Sequence, residues 1–185
     1  MKEIKQFGLI GRDIDYSFSR NYFKDKFNSI EKLSNCEYIN FDIESIEEVN
    51  FIFSRKNLFG LNVTIPYKED IINYLDEVDD LALEIGAVNT ICFENQKKIG
   101  YNTDIKGFKK TLEINSLDNF DSVLILGSGG ASKTVEYFCK KNNISYKIVS
   151  RQNKNNYLSY NDIDKGVLSN SCLLYTSPSP RDLST

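Results

Sequence analysis

Asn62, Thr64 and Lys68 stand in and just beyond the run GLNVTIPYKED. Side chains alternate along a strand, so Asn62 and Thr64 share one side while Val63 and Ile65 face a core. Pro66 has no N–H for a ladder and is expected to end the strand. Lys68 then falls at the start of a helix expected over about 67–75. An amide, a hydroxyl and an ammonium thus gather at a strand end, where α/β proteins commonly bind small ligands. Read alone, the segment fits an edge strand with a solvated polar face first and a ligand site second.

The stretch LILGSGGAS at 124–132 carries a second kind of chemistry. Gly127 closes an apolar strand, and Gly129 and Gly130 lie between it and a helix. Such glycines let the backbone turn sharply and let a pyrophosphate approach, and the helix N-terminus offers free N–H groups and a favourable dipole. The match to G-x-G-x-x-G is partial, because Ser132 holds the last position. The strand before it and the helix after it are the context the motif requires, so dinucleotide binding is favoured over an ordinary tight turn. About twenty residues on, an NAD site carries an Asp or Glu for the ribose 2′-hydroxyl. Here VSRQNK supplies Ser150, Arg151 and Lys154. A carboxylate would repel a 2′-phosphate, whereas a guanidinium can fork onto it and stack on the adenine, so NADP is preferred over NAD. The plainer alternative is a solvated arginine at a strand end.

The 185 residues contain no histidine. Ser-His-Asp and Cys-His mechanisms are excluded, and any proton transfer falls to Lys, Asp, Glu or Tyr. The four cysteines (Cys36, Cys92, Cys139, Cys172) are scattered without a C-x-x-C pair, which with the missing histidines argues against a zinc site. Charges are mixed along the chain and the net charge is −3, so no nucleic-acid or polybasic membrane surface is expected. No apolar run approaches the roughly 20 residues that span a bilayer, and MKEIKQFGLIG lacks a secretory apolar segment. These features predict a reduced, cytoplasmic protein.

The elements that must position these residues follow from periodicity. QFGLIG (6–11) reads as a buried strand. SFSRNYFKDKF reads as a helix with Phe23, Phe27 and Ile30 in one stripe and with Ser17 or Ser19 as N-cap. EYINF (37–41) reads as a strand, and SIEE (45–48) as a capping box opening a helix that buries Ile46, Val49 and Phe53. GLNVTI is a third strand. GAVNTICFE and KIGYNT form a hairpin around NQKK. DIKGFKKTLEI is helical through Ile105, Phe108 and Leu112; DSVLIL, the helix burying Val135, Phe138 and Cys139, and SYKIVSR follow. Strands alternating with helices predict an α/β fold with mostly parallel sheets.

Five of these segments, in this order, resemble the shikimate dehydrogenase family: SFS (17–19), NVTIPYK (62–68), GAVNT (86–90), GYNTDIKGF (100–108) and LGSGGASK (126–133). The resemblance runs to about residue 165. It implies an N-terminal α/β substrate domain (1–104) followed by an incomplete Rossmann-type NADP domain (105–170), with the active site in the cleft between them. It implies reversible reduction of 3-dehydroshikimate to shikimate with NADPH, a step of aromatic amino acid and chorismate biosynthesis. Carried over by motif, Ser17 and Ser19 bond the substrate carboxylate, and Asn62, Thr64 and Asn89 hold its hydroxyls and carboxylate. Lys68 and Asp104 form the catalytic pair. Gly127, Gly129, Gly130 and Ala131 lie under the pyrophosphate, and Arg151 faces the 2′-phosphate. For Lys68 as proton donor, burial would lower its pKa while a neighbouring Asp104 would hold it protonated; a structural ion pair is the bland alternative.

The chain departs from the family pattern in places. Tyr16 and Arg20 flank the first motif where the family commonly has His and Pro, and SRQ replaces Asn-Arg-Thr in the cofactor loop. From about residue 170 the resemblance stops, and CLLYTSPSPRD (172–182) resembles a translated sequencing adapter. Residues 171–185 are therefore expected to be a non-native tail that forms no core element, leaving only the adenosine-side half of the nucleotide domain, an open sheet edge prone to aggregation and little or no activity. The expected partners are a small polyhydroxylated acid and NADP, with no nucleic acid or membrane, in a monomer or homodimer. Two other readings remain: a quinate/shikimate dehydrogenase paralogue, and a nucleotide-binding module without turnover.

Overall fold

The computed structural model describes residues 3–115, 121–151, 156–163 and 172–175. The chain divides into two units, Met1–Thr103 and Asp104–Thr185.

The first unit is built on a six-stranded sheet in the order β2-β1-β3-β5-β6-β4. Its strands are β1 (Lys5–Gly11), β2 (Cys36–Asp42), β3 (Leu58–Val63), β4 (Glu77–Val78), β5 (Thr90–Glu94) and β6 (Lys97–Tyr101). β1 runs parallel to β2 and β3, whereas β5 is antiparallel to both β3 and β6. β4 runs parallel to β6, so three of the sheet's five pairings are parallel and two antiparallel, and the sheet is mixed. The hairpin is the reason: Asn95 and Gln96 both take positive φ, 50° and 65°, the two-residue turn that matches strand twist. Lys97 and Lys98, expected in the turn, belong to β6.

Helices cover both faces. α1 (Phe18–Ser29) packs Phe23 and Phe27 with Phe7, Leu9, Ile14 and Tyr38 on one face. Ile30 falls past its end and is exposed. On the other face, α2 (Val49–Phe53) and α3 (Asp80–Ile85) lie over a larger core that includes Ile10, Val49, Ile52, Leu61, Val63, Ile71 and Ile91. The capping box forms, with Glu48 Oε1 accepting from the Ser45 N–H at 2.9 Å, but it opens a 3-10 turn (Ile46–Glu48) before α2 begins.

Two expectations fail around residues 64–75. β3 ends at Val63, where its ladder with β1 stops, one residue after its ladder with β5; Thr64 N still donates to Ile10 O at 2.8 Å and Ile65 O accepts from Arg12 N at 3.1 Å. The helix expected over 67–75 is instead a turn followed by a 3-10 segment, Asp70–Tyr74. Both of its ends are tied down. Tyr67 is buried with its hydroxyl donating to Ile43 O at 2.7 Å, and Asp76 Oδ2 accepts from the Lys98 backbone N–H at 2.8 Å. Between those anchors the β-branched pair Ile71–Ile72 has little intrinsic pull toward an α-helix.

The second unit places α4 (Asp104–Ile114) and α5 (Gly130–Lys141) beside a parallel sheet ordered β8-β7-β9. Its strands are β7 (Ser122–Leu126), β8 (Ser145–Val149) and β9 (Cys172–Tyr175). Val123, Ile125, Val135, Cys139 and Ile148 form its core, with Phe108 and Phe138 in edge contact at 5.2 Å. Burial pushes the Cys139 thiol up to about 11, as expected of an inert core cysteine. Part of the stretch expected to be a tail contributes β9 to this sheet. Cys172–Tyr175 pairs in register with Val123–Leu126. The run CLLY is apolar, a composition compatible with a strand.

Candidate functional site

In the first unit the polar groups collect where β1 and β3 end and β5 begins. Gly11 closes β1. A Cβ there would lie 2.5 Å from Ile14 Cγ2 and 2.6 Å from Thr64 Cγ2, so only glycine lets Thr64 sit against this strand end. The loop that follows leads to Ser17, the N-cap of α1, whose Oγ accepts from the Ser19 N–H at 3.3 Å. The two serines are therefore one turn with both hydroxyls at a helix start.

Asn62, near the end of β3, accepts on Oδ1 from the Tyr38 hydroxyl at 2.8 Å. Its Nδ2 points along the sheet toward Asn89 O at 3.5 Å and Thr90 Oγ1 at 3.4 Å. Asn89 is 8% exposed. Its Oδ1 accepts from Thr103 N at 2.8 Å and from Thr90 Oγ1 at 3.0 Å, and its Nδ2 donates to Thr103 Oγ1 at 2.9 Å. Asn102 donates to Ala87 O at 2.9 Å from a buried position, locking the two Asn-Thr segments together. Burial holds the Tyr38 hydroxyl well above the usual tyrosine range, opposed by hydrogen bonding from Ser19, so it remains a donor.

Tyr38, Asn62, Thr90, Asn89 and Thr103 thus form one polar network, and Ser17 and Ser19 stand at the start of α1. Thr64 stands two residues beyond Asn62, against Gly11. Lys68 is half-buried, and its carbonyl accepts from Val88 N at 2.7 Å, which sets its backbone beside the approach to Asn89. Asp104 is the first residue of α4 and follows Thr103 directly. Beside the network, an apolar groove of about 240 Å³ is lined by Phe7, Phe23, Phe27, Phe59 and Cys92.

Sequence patterns do not single out Tyr38, Thr90 or Thr103. The doubled dipeptide Asn-Thr, at 89–90 and 102–103, is a usable signal for the threonines. Tyr38 gives none, because an aromatic in EYINF reads as core.

In the second unit, Gly127 takes φ 107°, a left-handed conformation that side chains rarely adopt. Gly129 is the N-cap of α5 without a side-chain cap, and a Cβ built on it would meet nothing within 4 Å. The backbone of Gly130 and Ala131 begins the helix there, so a pyrophosphate would find open space and helix N–H groups. Ser132, in the third glycine position, is buried. Ser150 at the end of β8 is also buried, and its hydroxyl pairs with Ser128 Oγ at 2.9 Å, tying the strand end to the glycine turn. Arg151 follows it and is exposed; Lys154 lies outside the described residues. These groups fit the adenosine side of a dinucleotide. Among the described residues, no group of three His, Cys, Asp or Glu is placed to hold a metal ion, and no helix is long and apolar enough to cross a membrane.

Residues 9–91 match the family model of the shikimate dehydrogenase substrate binding domain. The NADP(+)-dependent shikimate dehydrogenase of Methanococcus maripaludis is 40% identical over 192 residues, covering 94% of this chain and 68% of its own. A shikimate dehydrogenase structure from Peptoclostridium difficile superimposes with a TM-score of 0.73 at 32% identity, covering 95% of this chain and 67% of its own. The shikimate 5-dehydrogenase of Thermus thermophilus, solved with NADP(H) and shikimate, gives a TM-score of 0.68 at 27% identity, covering 80% of this chain and 57% of its own.

Proposed function

Because the chain belongs to the shikimate dehydrogenase family, we propose that its first unit binds shikimate and 3-dehydroshikimate and its second binds the adenosine side of NADP. A chain of the relatives' length then interconverts the two acids. The observation that carries this reading is the polar network of Asn62, Asn89, Tyr38 and Thr90 at one strand end. A small acid with several hydroxyls needs fixed donors and acceptors in number rather than an apolar slot.

In this reading Ser17 and Ser19 donate to the carboxylate, and Asn62, Thr64 and Asn89 hold the hydroxyls. NADPH, when bound, supplies a hydride to the ketone carbon. Lys68 delivers a proton to the oxygen as it gains charge and is reprotonated from solvent. Asp104 is the second member of the catalytic pair. Gly127, Gly129, Gly130 and Ala131 bound the pyrophosphate, and Arg151, with Lys154, takes the 2′-phosphate.

Steady-state assays with shikimate and quinate, each with NADP and NAD, test the reading in a chain of the relatives' length. The expected result is turnover with shikimate and NADP, reduced at least about a hundredfold in kcat by Lys68→Ala with KM changed only a few-fold. Unchanged turnover in Lys68→Ala would remove Lys68 from the chemistry. Preference for quinate or NAD would reassign the substrate or the cofactor. The 185 residues alone are expected to bind shikimate with little or no turnover.

A further inference from the structure

We propose that Tyr38 is a positioning residue of the shikimate site, setting the orientation of the Asn62 amide. The proposal rests on the shikimate-site reading and adds to it a residue that touches no substrate.

Tyr38 comes from the middle of β2, on the far side of β1 from Asn62. Its ring is fixed. It stacks on Phe23 of α1 with centroids 4.5 Å apart and planes 12° from parallel, and the residue is only 8% exposed. From this position its hydroxyl donates to Asn62 Oδ1 at 2.8 Å. An asparagine amide can be turned end for end with little change of shape. Here one end has a firm donor, while Nδ2 has only long contacts, 3.4 and 3.5 Å. The Tyr38 proton therefore decides that Asn62 offers its N–H groups, not its carbonyl, to whatever binds beside Thr90. Burial keeps that proton on the oxygen across the working pH range. A free Asn62 would sample both orientations, and a ligand would have to select one of them.

Tyr38→Phe keeps the ring and the stack and removes only the oxygen. Equilibrium titration of the 185-residue chain with shikimate should show about a tenfold loss of affinity in this variant. Asn62→Ala should lose affinity as well, and the double variant should bind no more weakly than Asn62→Ala alone, because Tyr38 acts through Asn62. A purely structural role would give additive losses. Full affinity in Tyr38→Phe, or additive losses in the double variant, overturns the assignment. If the unsubstituted chain fails to bind shikimate, the functional reading falls and takes the assignment with it. A test without substitution is available in NMR spectra of the unsubstituted chain. A slowly exchanging Tyr38 hydroxyl proton coupled to Asn62 supports the assignment, and a rapidly exchanging one overturns it.

Discussion

Asn89 and Thr103, 14 residues apart, close on each other through both ends of the asparagine amide: Thr103 N donates to Oδ1 at 2.8 Å and Nδ2 donates to Thr103 Oγ1 at 2.9 Å. The pair fastens the entry to β5 to the turn between β6 and α4. It also leaves Asn89 buried and Thr103 exposed, so one partner has no water to fall back on.

Asn89→Ala should therefore destabilise the first unit by about 2 kcal/mol, since it strands several groups that shared one amide. Thermal unfolding checks this, and a melting temperature indistinguishable from the parent's would contradict it. Shikimate binding should be lost in the same variant.

Gly11→Ala tests the close approach at the end of β1. The added carbon meets two stiff β-branched side chains, Ile14 and Thr64, and the backbone oxygen of Ile65 at 3.2 Å. We expect a cost of about 1–3 kcal/mol and a weaker shikimate complex as Thr64 is displaced. Undiminished affinity would show that Thr64 does not line the site.

Arg151→Gln separates the two nucleotides. Removing the guanidinium should weaken NADP binding about tenfold and leave NAD binding unchanged, because only NADP carries the 2′-phosphate. Competition titration with the two cofactors reads the ratio directly. An equal loss for both would place Arg151 elsewhere than at the phosphate.

The acid limb of stability should respond to Asp76. Hydrogen bonds from the Lys98 ammonium and the Lys98 N–H hold its carboxyl below the usual aspartate range. A carboxyl with a lowered folded pKa contributes stability above its unfolded value of about 3.9, and that contribution drains away as pH falls through the folded value. Asp76→Asn should lower stability at neutral pH and flatten the dependence below about pH 4. Parallel acid-unfolding curves for variant and parent would refute this.

Much of the architecture is legible locally. The buried strand QFGLIG, the stripes of the helices at 104–114 and 130–141, and the Gly-rich turn after an apolar strand each follow from residues within a few positions of one another. The expected helix at 67–75 shows the limit. Its sequence is compatible with a helix, but Tyr67 and Asp76 are held by partners at residues 43 and 98, and the segment between them tightens to fit. The mixed sheet escapes local patterns for a related reason. A hairpin is visible in the sequence, but which strand it docks against, and in which direction, is not.

What the chain by itself determined is the set of chemical groups and their order: two serines at a helix start, the Asn-x-Thr strand end, the paired Asn-Thr dipeptides and the glycine turn followed by arginine. What tertiary structure decided is who faces whom. Tyr38 reaches Asn62 across 24 residues, because β1 lies between β2 and β3 and brings those strands onto one face. Periodicity fixes the side of a strand on which a residue lies, but hydrogen-bond partners depend on strand order and register, and these are set by the packing of the whole sheet.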